Sequence, residues 1–140
     1  MTRASRLSML LSLILLASSA SSQVEPLYRS DRPIGVKLGF EGLGVDLCLG
    51  ELVGLDATTW LFYNAVKARI FLLNRNASPF VGFGYGSSGG VGGNSDNWTV
   101  VLGGWEHSYK RFFIQIMAEF AVRKQYKSPF PVNLNLGMRL

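Results

Sequence analysis

The residues best suited to catalysis in this sequence lie around its single histidine, His107. Glu106 and Ser108 are its neighbours in the chain, and Glu119 follows on the next predicted strand. Serine, histidine and an acid are the components of a hydrolytic triad, in which the histidine activates the serine hydroxyl. On a strand, however, the adjacent His107 and Ser108 would face opposite sides, and in a turn they would simply be solvated. We therefore predict no catalytic residues and no enzyme, and keep hydrolysis only as a third possibility.

A larger set of polar side chains recurs on one face of the predicted strands. Its members are Lys37, Asp46, Lys67, Arg69, Gln115, Glu119, Arg123, Asn133, Asn135 and Arg139. In a closed barrel this face would line the lumen, where the set would form either a pore or binding site, or a network of ion pairs and hydrogen bonds. We predict the structural network, because the interior of an eight-stranded barrel has room for side chains and little else. Such a network must be nearly complete, since a buried unpaired charge costs several kcal/mol.

Sites for metals, cofactors and nucleic acids are not indicated by the sequence. Cys48 is the only cysteine, which excludes an intramolecular disulfide and any zinc site built from cysteines. The glycines of residues 82–86 superficially resemble a phosphate-binding loop, but no Lys-Ser/Thr pair and no helix follow them. The basic residues are scattered rather than clustered as a nucleic-acid interface would require. We therefore predict no cofactor, no metal and no nucleic-acid partner.

The N-terminus is typical of a secretory signal peptide. Arg3 and Arg6 supply its positive charge, and residues 9–17 form an apolar segment too short to span a bilayer. Small residues follow, with cleavage predicted after Ala20 or Ser22; an N-terminal anchor helix is the alternative. The predicted organisation is a signal peptide at residues 1–22, a linker or weak first strand at 23–32 and a β-barrel domain at 33–140.

The elements that would position the polar face are predicted from alternation, most clearly in the last nine residues. Val132, Leu134, Leu136, Met138 and Leu140 share one face, and the residues between them are Asn133, Asn135, Gly137 and Arg139. A strand with one buried face also alternates in a soluble protein, but here five apolar residues run along one side to the end of the chain. Together with an export signal, this pattern indicates an outer-membrane β-barrel, whose lipid face is apolar and whose lumen is polar.

Residues 34–49 predict a hairpin with the same alternation. A two-residue turn at Glu41-Gly42 would pair Phe40 with Leu43 and Ile34 with Leu49. All eight apolar residues of the two strands would then lie on one face, as the register of a hairpin with one apolar side requires.

Four further strands are predicted between this hairpin and the C-terminal strand. They are residues 60–73, 79–86, 98–106 and 112–122, with connections at 51–59, 74–78, 87–97, 107–111 and 124–131. Asn64 falls on the apolar face of the strand predicted at 60–73. A polar residue there requires a β-bulge, a position at an interface or a different assignment of the strand. The facing of residues 98–106 stays open, because apolar residues occupy both of its faces.

Seven strands are visible in this pattern, whereas single-chain bacterial barrels have an even number. We therefore expect an eighth strand before Ile34, within residues 24–30, where the sequence is a poor strand former. Short connections at 41–42, 74–78 and 107–111 alternate with longer ones along the chain. Since short turns are periplasmic and longer loops are external in such barrels, the turn at 41–42 is predicted on the periplasmic side.

From its fourth predicted strand the chain resembles the small outer-membrane β-barrel superfamily, which includes the eight-stranded OmpA-type transmembrane domain. The resemblance rests on residues 68–73 (ARIFLL), a tight turn, and residues 78–86 (SPFVGFGYG), and it extends loosely from Pro33 to the end. It implies that glycines in this hairpin remove bulk from a narrow lumen. It also implies that the terminal strand is read by the outer-membrane assembly machinery. Family members commonly end on an aromatic residue, whereas this chain ends on Leu140.

Aromatic residues near the predicted strand ends suit a girdle at the interface between membrane and water. The predicted interface aromatics are Trp60, Trp98, Trp105 and Tyr85. Ordinary packing between strands is the alternative explanation for them.

The predicted fold is an all-β, antiparallel up-and-down barrel of about eight strands that follows a signal peptide. The predicted function is that of a small bacterial outer-membrane protein with a structural, adhesive or envelope-integrity role and no open pore. Its predicted partners are membrane lipid and, through the C-terminal strand, the assembly machinery. A soluble lipocalin-like barrel with an apolar ligand inside is the alternative, and it requires Lys37, Lys67, Arg69 and Arg123 in solvent. An outer-membrane lipid hydrolase is third.

Overall fold

A computed structural model describes residues 27–61, 63–89, 95–122 and 131–140 of the chain. The predicted signal peptide, the predicted luminal residue Arg123 and nearly all of the loop predicted at 124–131 lie outside the described residues. A short helix, α1, is followed by eight strands. The bounds are α1 Tyr28–Asp31, β1 Ile34–Gly39, β2 Gly42–Leu49, β3 Val53–Trp60, β4 Tyr63–Phe71, β5 Ala77–Gly89, β6 Ser95–Tyr109, β7 Phe112–Ala121 and β8 Val132–Arg139.

The eight strands form one closed barrel. Each strand pairs antiparallel with the next strand in the chain, and β1 closes the sheet by pairing with β8, as in the pair of Val36 with Met138. The predicted antiparallel up-and-down barrel of eight strands is therefore confirmed. No helix among the described residues is long and apolar enough to cross a membrane.

The eighth strand is β3, at Val53–Trp60, and not a segment before Ile34. The prediction of a loop at 51–59 was therefore wrong, and the predicted strand at 60–73 is shortened to β4. The residues typical of loops in this segment, Gly54 and Asp56, face the lumen, where small and charged side chains are required. The described part of the segment before Ile34, residues 27–33, contains α1 in place of the expected strand.

The first hairpin has the predicted facing but a different turn. Gly39 pairs with Gly42, so the turn consists of Phe40 and Glu41, and Leu38 pairs with Leu43 instead of Val45. This shift of two residues leaves every side chain on its predicted face, because facing repeats every two residues along a strand. Gly42 adopts a φ of 108°, a left-handed conformation that favours glycine.

The two ends of the barrel differ in their connections. We call the terminal end the one at which β1 begins and β8 ends, and it also carries the turns at residues 50–52, 72–76 and 110–111. The loop end, opposite to it, carries the connections at residues 40–41, 61–62, 90–94 and 122–131. The first turn therefore lies opposite the turns at 72–76 and 110–111, although it was predicted on the same side. The additional strand β3 reverses the direction of every later strand relative to that turn.

The barrel has an inverted polarity, with apolar side chains outside and charges inside. Exposed apolar side chains follow the outward positions of all eight strands, including Val45 on β2, Ile116 on β7 and Leu136 on β8. The charged residues of the described strands are buried except Asp96, which lies near the loop end of β6. In β6 the even-numbered residues face inward, and this settles the facing that the sequence left open.

Candidate functional site

The candidate site is the barrel interior, where the part of the chain that the structure describes contributes ten buried charged side chains. Five are basic and five are acidic: Arg29, Lys37, Lys67, Arg69 and Arg139, with Glu41, Asp46, Asp56, Glu106 and Glu119. The predicted luminal residues Gln115, Asn133 and Asn135 are buried with them. The formal charges of these ten described residues cancel.

Glu41 is the centre of the charged cluster nearest the loop end. Its carboxylate accepts hydrogen bonds from Lys37 Nζ at 3.2 Å, from Asn135 Nδ2 at 3.2 Å and from Lys67 Nζ. The hydroxyl of Tyr63 lies 3.5 Å from Glu41 Oε2. Sequence reasoning missed Glu41 because it placed this residue in a solvated turn. In the barrel that turn directs the side chain of Glu41 into the lumen, where it pairs with two lysines.

Asp56 joins this cluster to a second one nearer the terminal end. Its Oδ1 lies 3.1 Å from Lys37 Nζ, and its Oδ2 lies 3.3 Å from Arg69 Nε. Lys67 also pairs with Glu119, at 2.5 Å. Sequence reasoning missed Asp56 because its segment was predicted to be a loop. The alternation of Val53, Leu55 and Ala57 is the signal that would have placed Asp56 on the inward face.

The second cluster consists of two arginines and two acids from four different strands. Arg139 Nη2 donates to Glu106 Oε1 at 2.7 Å, and Arg139 Nη1 donates to Asp46 Oδ2 at 3.0 Å. Arg69 pairs with Asp46 and lies 3.5 Å from Glu106. The remaining lone pairs of Glu106 accept hydrogen bonds from Gln115 Nε2 at 2.8 Å and from Ser108 Oγ at 2.9 Å. Each acid thus faces at least one guanidinium.

The rest of the interior is filled by apolar side chains. One group contains Cys48, Phe71, Phe80, Leu102 and Met117, and a second group contains Tyr63, Ala65, Trp98 and Val100. Cys48 is a free thiol with 2% of its surface exposed. The rings of Tyr63 and Trp98 stack at 5.5 Å between centroids. Gly86 lies under this indole, since a Cβ there would be 2.6 Å from Trp98 Cε2.

The charged side chains of the two clusters in this interior pair with one another and so stabilise the barrel. Every buried acid has a basic partner, and removing one member of such a pair would leave an uncompensated charge. Among the described residues, no three histidine, cysteine or acidic side chains are grouped so that they could hold a metal ion. The arrangement therefore cross-links the strands from within and occupies the lumen.

The terminal end of the barrel is capped by Arg29 of α1. Its guanidinium donates to the carbonyl oxygens of Glu51 at 2.9 Å, Arg75 at 2.7 Å and Leu73 at 2.6 Å. It also lies 4.1 Å from the centroid of the Phe71 ring. Burial lowers the pKa of Arg29 from its ordinary value, although a guanidinium stays protonated in proteins. Sequence reasoning missed Arg29 because this segment has no clear period.

Two further contacts hold α1 in place. The backbone N–H of Tyr28 donates to Asn76 Oδ1 at 2.9 Å. The ring of Tyr28 meets that of Tyr109 edge to face, with 6.4 Å between centroids. The cap is therefore bound to the turn at 72–76 and to the end of β6.

The structure does not bring the candidate triad together. His107 is exposed on the outer face of β6, whereas Ser108 faces the lumen and donates to Glu106. Glu119 lies in the other cluster, where it pairs with Lys67 and accepts a hydrogen bond from Asn133 at 2.9 Å. His107 therefore lies on the opposite side of the sheet from both the serine and the acids.

Two of the four predicted interface aromatics lie on the outer face of the sheet. Tyr85 is exposed towards the loop end, and Trp105 is partly exposed on β6. Trp60 pairs with the inward-facing Tyr63 and is exposed at the loop end of β3. Trp98 was wrongly predicted as an interface residue, since it is 5% exposed and faces the lumen. The additional exposed aromatics are Phe40, Phe83, Tyr109, Phe112 and Phe120.

The outer wall has a short polar row towards the loop end. Thr59 pairs with Asn64, which pairs with Ser87 on the next strand. Thr59 Oγ1 donates to Asn64 Oδ1 at 2.9 Å. Asn64 thus lies on the outer face near the loop end of β4, and its strand pairs there without a bulge. Below this row the small residue Ala57 leaves a depression of about 670 Å³ on the outer wall.

Comparison with known proteins gives no relative from which a function could be transferred. No protein-family model matches the sequence, and no curated protein matches it.

Proposed function

We propose that this chain is a small bacterial outer-membrane protein that spans the bilayer as a closed β-barrel and has a structural, adhesive or envelope-integrity role. The observation that carries the proposal is the inverted polarity of the barrel. A soluble barrel is expected to expose charged side chains and bury apolar ones, whereas here the exposed strand positions are apolar and ten charged residues are buried.

The length of the strands supports a transmembrane barrel. A tilted membrane-spanning strand requires about 9–11 residues, and β4, β5, β6 and β7 contain 9, 13, 15 and 10 residues. Of the shorter strands, β1, β2 and β3 are extended by apolar side chains in the turns at the loop end, since Phe40 and Leu61 are 64% and 81% exposed. The apolar wall therefore continues around the barrel.

The aromatic side chains fit the borders of such a wall. Trp60, Tyr85 and Phe120 are exposed towards the loop end, and Tyr109 and Phe112 are exposed at the terminal end. Aromatic residues concentrate at both interfaces of membrane barrels. The polar row at Thr59 and Asn64 also suits the position at which the apolar wall meets headgroups.

The proposed orientation places the terminal end in the periplasm. No connection at this end exceeds five residues, at 50–52, 72–76 and 110–111, while the longest connection, at 122–131, belongs to the loop end together with the two-residue turns at 40–41 and 61–62. Bacterial barrels have short periplasmic turns and longer external loops. A signal peptide at residues 1–22 would deliver the chain, and β8 would present the final strand to the assembly machinery.

The filled lumen supports a role without an open pore. Large side chains from facing strands, including Arg69, Arg139, Phe71 and Phe80, are each no more than 1% exposed. Arg29 covers the terminal end by donating to three backbone carbonyls. A barrel of this kind offers its outer wall and its loop end for interactions rather than a channel.

The two alternatives fit the geometry less well. A lipocalin-like carrier needs an apolar cavity and solvent-exposed lysines, whereas Lys37, Lys67 and Arg69 are buried in ion pairs. A lipid hydrolase needs a nucleophile beside His107, whereas Ser108 faces the other side of the sheet. Both observations favour the structural barrel.

The proposal is tested by fractionation of a bacterium that expresses the full chain. We expect the protein in the outer-membrane fraction, extractable only with detergent. On a gel it should migrate differently with and without boiling, because a closed barrel resists detergent until it is heated. The boiled sample is the internal control for the unfolded chain. A monomeric product that stays soluble without detergent would contradict the proposal.

A further inference from the structure

A basic pocket lies at the terminal end of the barrel, outside the lumen. It has a volume of about 450 Å³ between α1 and the turn that joins β6 to β7. We call it the rim pocket, and its lining includes Tyr28, Arg32, Tyr109, Lys110, Arg111 and Phe112. None of these residues belongs to the ion-pair network of the interior.

The charges of the rim pocket are unbalanced. Arg32, Lys110 and Arg111 are basic, and Asp31 is the one acidic residue of its lining. Among the residues that the structure describes, these three basic side chains form no ion pair, while every buried base in the lumen except Arg29 has an acidic partner. Three basic side chains and one acidic side chain line the pocket, and this excess of positive charge favours an anionic ligand.

Lys110 lies beside an aromatic ring of the pocket. It belongs to the two-residue turn between β6 and β7, and its Nζ lies 5.4 Å from the centroid of the Tyr109 ring. The side chain therefore borders the pocket beside an aromatic face.

The surroundings of the pocket indicate which kind of anion it takes. Tyr109 and Phe112 are 55% and 63% exposed, and on β7 the apolar outer wall continues from Phe112 to Ile114 and Ile116. A free phosphate ion would need only the basic side chains. A ligand that contacts both the basic side chains and the exposed apolar side chains beside them has an anionic headgroup and apolar chains.

We infer that the rim pocket binds the phosphate headgroup of an anionic phospholipid in the leaflet at the terminal end. Arg32 and Arg111 would contact the phosphate oxygens, since the guanidinium matches phosphate geometry, and Lys110 would add a point charge. The acyl chains would follow Phe112 and Ile114 along the outer wall. The inference rests on the proposed membrane-spanning barrel and adds a lipid specificity to it.

The test uses the full protein refolded into detergent micelles and examined by native mass spectrometry with added phosphatidylglycerol or phosphatidylcholine. We expect phosphatidylglycerol to remain bound several-fold more than phosphatidylcholine. Each neutralising change, Arg32→Gln, Lys110→Gln or Arg111→Gln, should weaken phosphatidylglycerol binding by about fivefold, as expected for one basic residue at an anionic lipid surface. Arg75→Gln is the matched control, because Arg75 is an exposed arginine at the same end but outside the pocket.

The outcomes separate the pocket from the barrel itself. Equal retention of the two lipids, or an equal loss in Arg75→Gln, would overturn the inference while the barrel still migrates as a heat-modifiable species. Competition by inorganic phosphate at the same concentration as the lipid would overturn the assignment to a phospholipid. A chain that does not fold into micelles or vesicles at all would contradict the proposed function instead.

Discussion

Arg139 on the last strand donates from Nη1 to Oδ2 of Asp46 on β2 at 3.0 Å, and so bridges two strands that do not pair with each other. β1 lies between them in the sheet. The second Nη of Arg139 reaches Glu106 on β6 at 2.7 Å. One guanidinium thus connects β8 to β2 and β6 across the lumen, beside the seam at which the barrel closes.

Replacing this arginine is predicted to destabilise the barrel. Arg139→Met removes a cation from Asp46 and Glu106 and leaves buried negative charge, which costs about 3–5 kcal/mol. We expect the midpoint of urea unfolding in detergent micelles to fall accordingly. Met138→Leu on the outer face of the same strand is the control, since a swap that conserves volume costs less than about 1.5 kcal/mol. Equal midpoints for Arg139→Met and the native chain would show that the pair contributes nothing.

A double-mutant cycle tests the coupling between Glu41 and Lys67. Glu41→Gln leaves Lys37 and Lys67 without their shared acid and should destabilise the barrel by about 3 kcal/mol. Lys67→Met alone should also destabilise it, because Glu41 and Glu119 then lose a common cation. The double variant should be less unstable than the sum of the two by about 1–3 kcal/mol, measured by urea unfolding. Strictly additive losses would contradict a direct ion pair.

The barrel could be predicted because its period-two pattern is unambiguous where one face is polar. In β8, Asn133, Asn135 and Arg139 alternate with apolar residues, so facing follows from spacing alone. The pattern fails in β6, where Trp98 and Val101 are both apolar and only the closed barrel decides which of them is inside. The pattern fails again in β3, which contains Gly54 and Asp56. In a solvated chain a glycine and an aspartate are typical of loops, whereas in this barrel both residues occupy the inward face of a strand.

The charged network could be predicted only in part for a related reason. Lys37 and Arg69 lie on clearly alternating strands, and the structure places both in the lumen. Glu41 lies in a turn and Arg29 in a segment without a period, so their positions depend on the closure of the barrel around them. Tertiary contacts of this kind leave no local pattern in the sequence.

Removing the cap is predicted to loosen the terminal end. Arg29→Ala deletes three charge-assisted hydrogen bonds to backbone carbonyls, and bonds to charged groups are worth about 1.5–3 kcal/mol each. We expect unfolding in micelles at lower urea and faster protease cleavage near residues 27–33. Arg29→Lys should rescue only part of the loss, because an ammonium lacks the planar fork. Arg32→Ala is the control, and an equal effect in both variants would contradict a specific cap.

The native protein is predicted to be silent in planar bilayers. The lumen is occupied by paired charges and buried rings, and Arg29 covers one end, so no continuous path for hydrated ions is expected. Single-channel recording with the purified protein over a range of salt concentrations checks this. Reproducible conductance steps that grow with salt would contradict the filled lumen and favour a pore.

The proposal that the outer wall faces lipid has a sharp test in the depth dependence of a charged substitution. Ile116 lies in the middle of β7 and is 52% exposed, whereas Asn64 lies on the outer face towards the loop end of β4. In a membrane barrel Ile116→Lys should cost about 2–4 kcal/mol and Asn64→Lys about 0–1 kcal/mol, because the penalty falls from the midplane to the interface. In a soluble barrel both are surface changes, which usually lie within about 0.5 kcal/mol of zero. Equilibrium folding into phospholipid vesicles in urea measures both variants, and equally small effects would show that the apolar wall is not a lipid face.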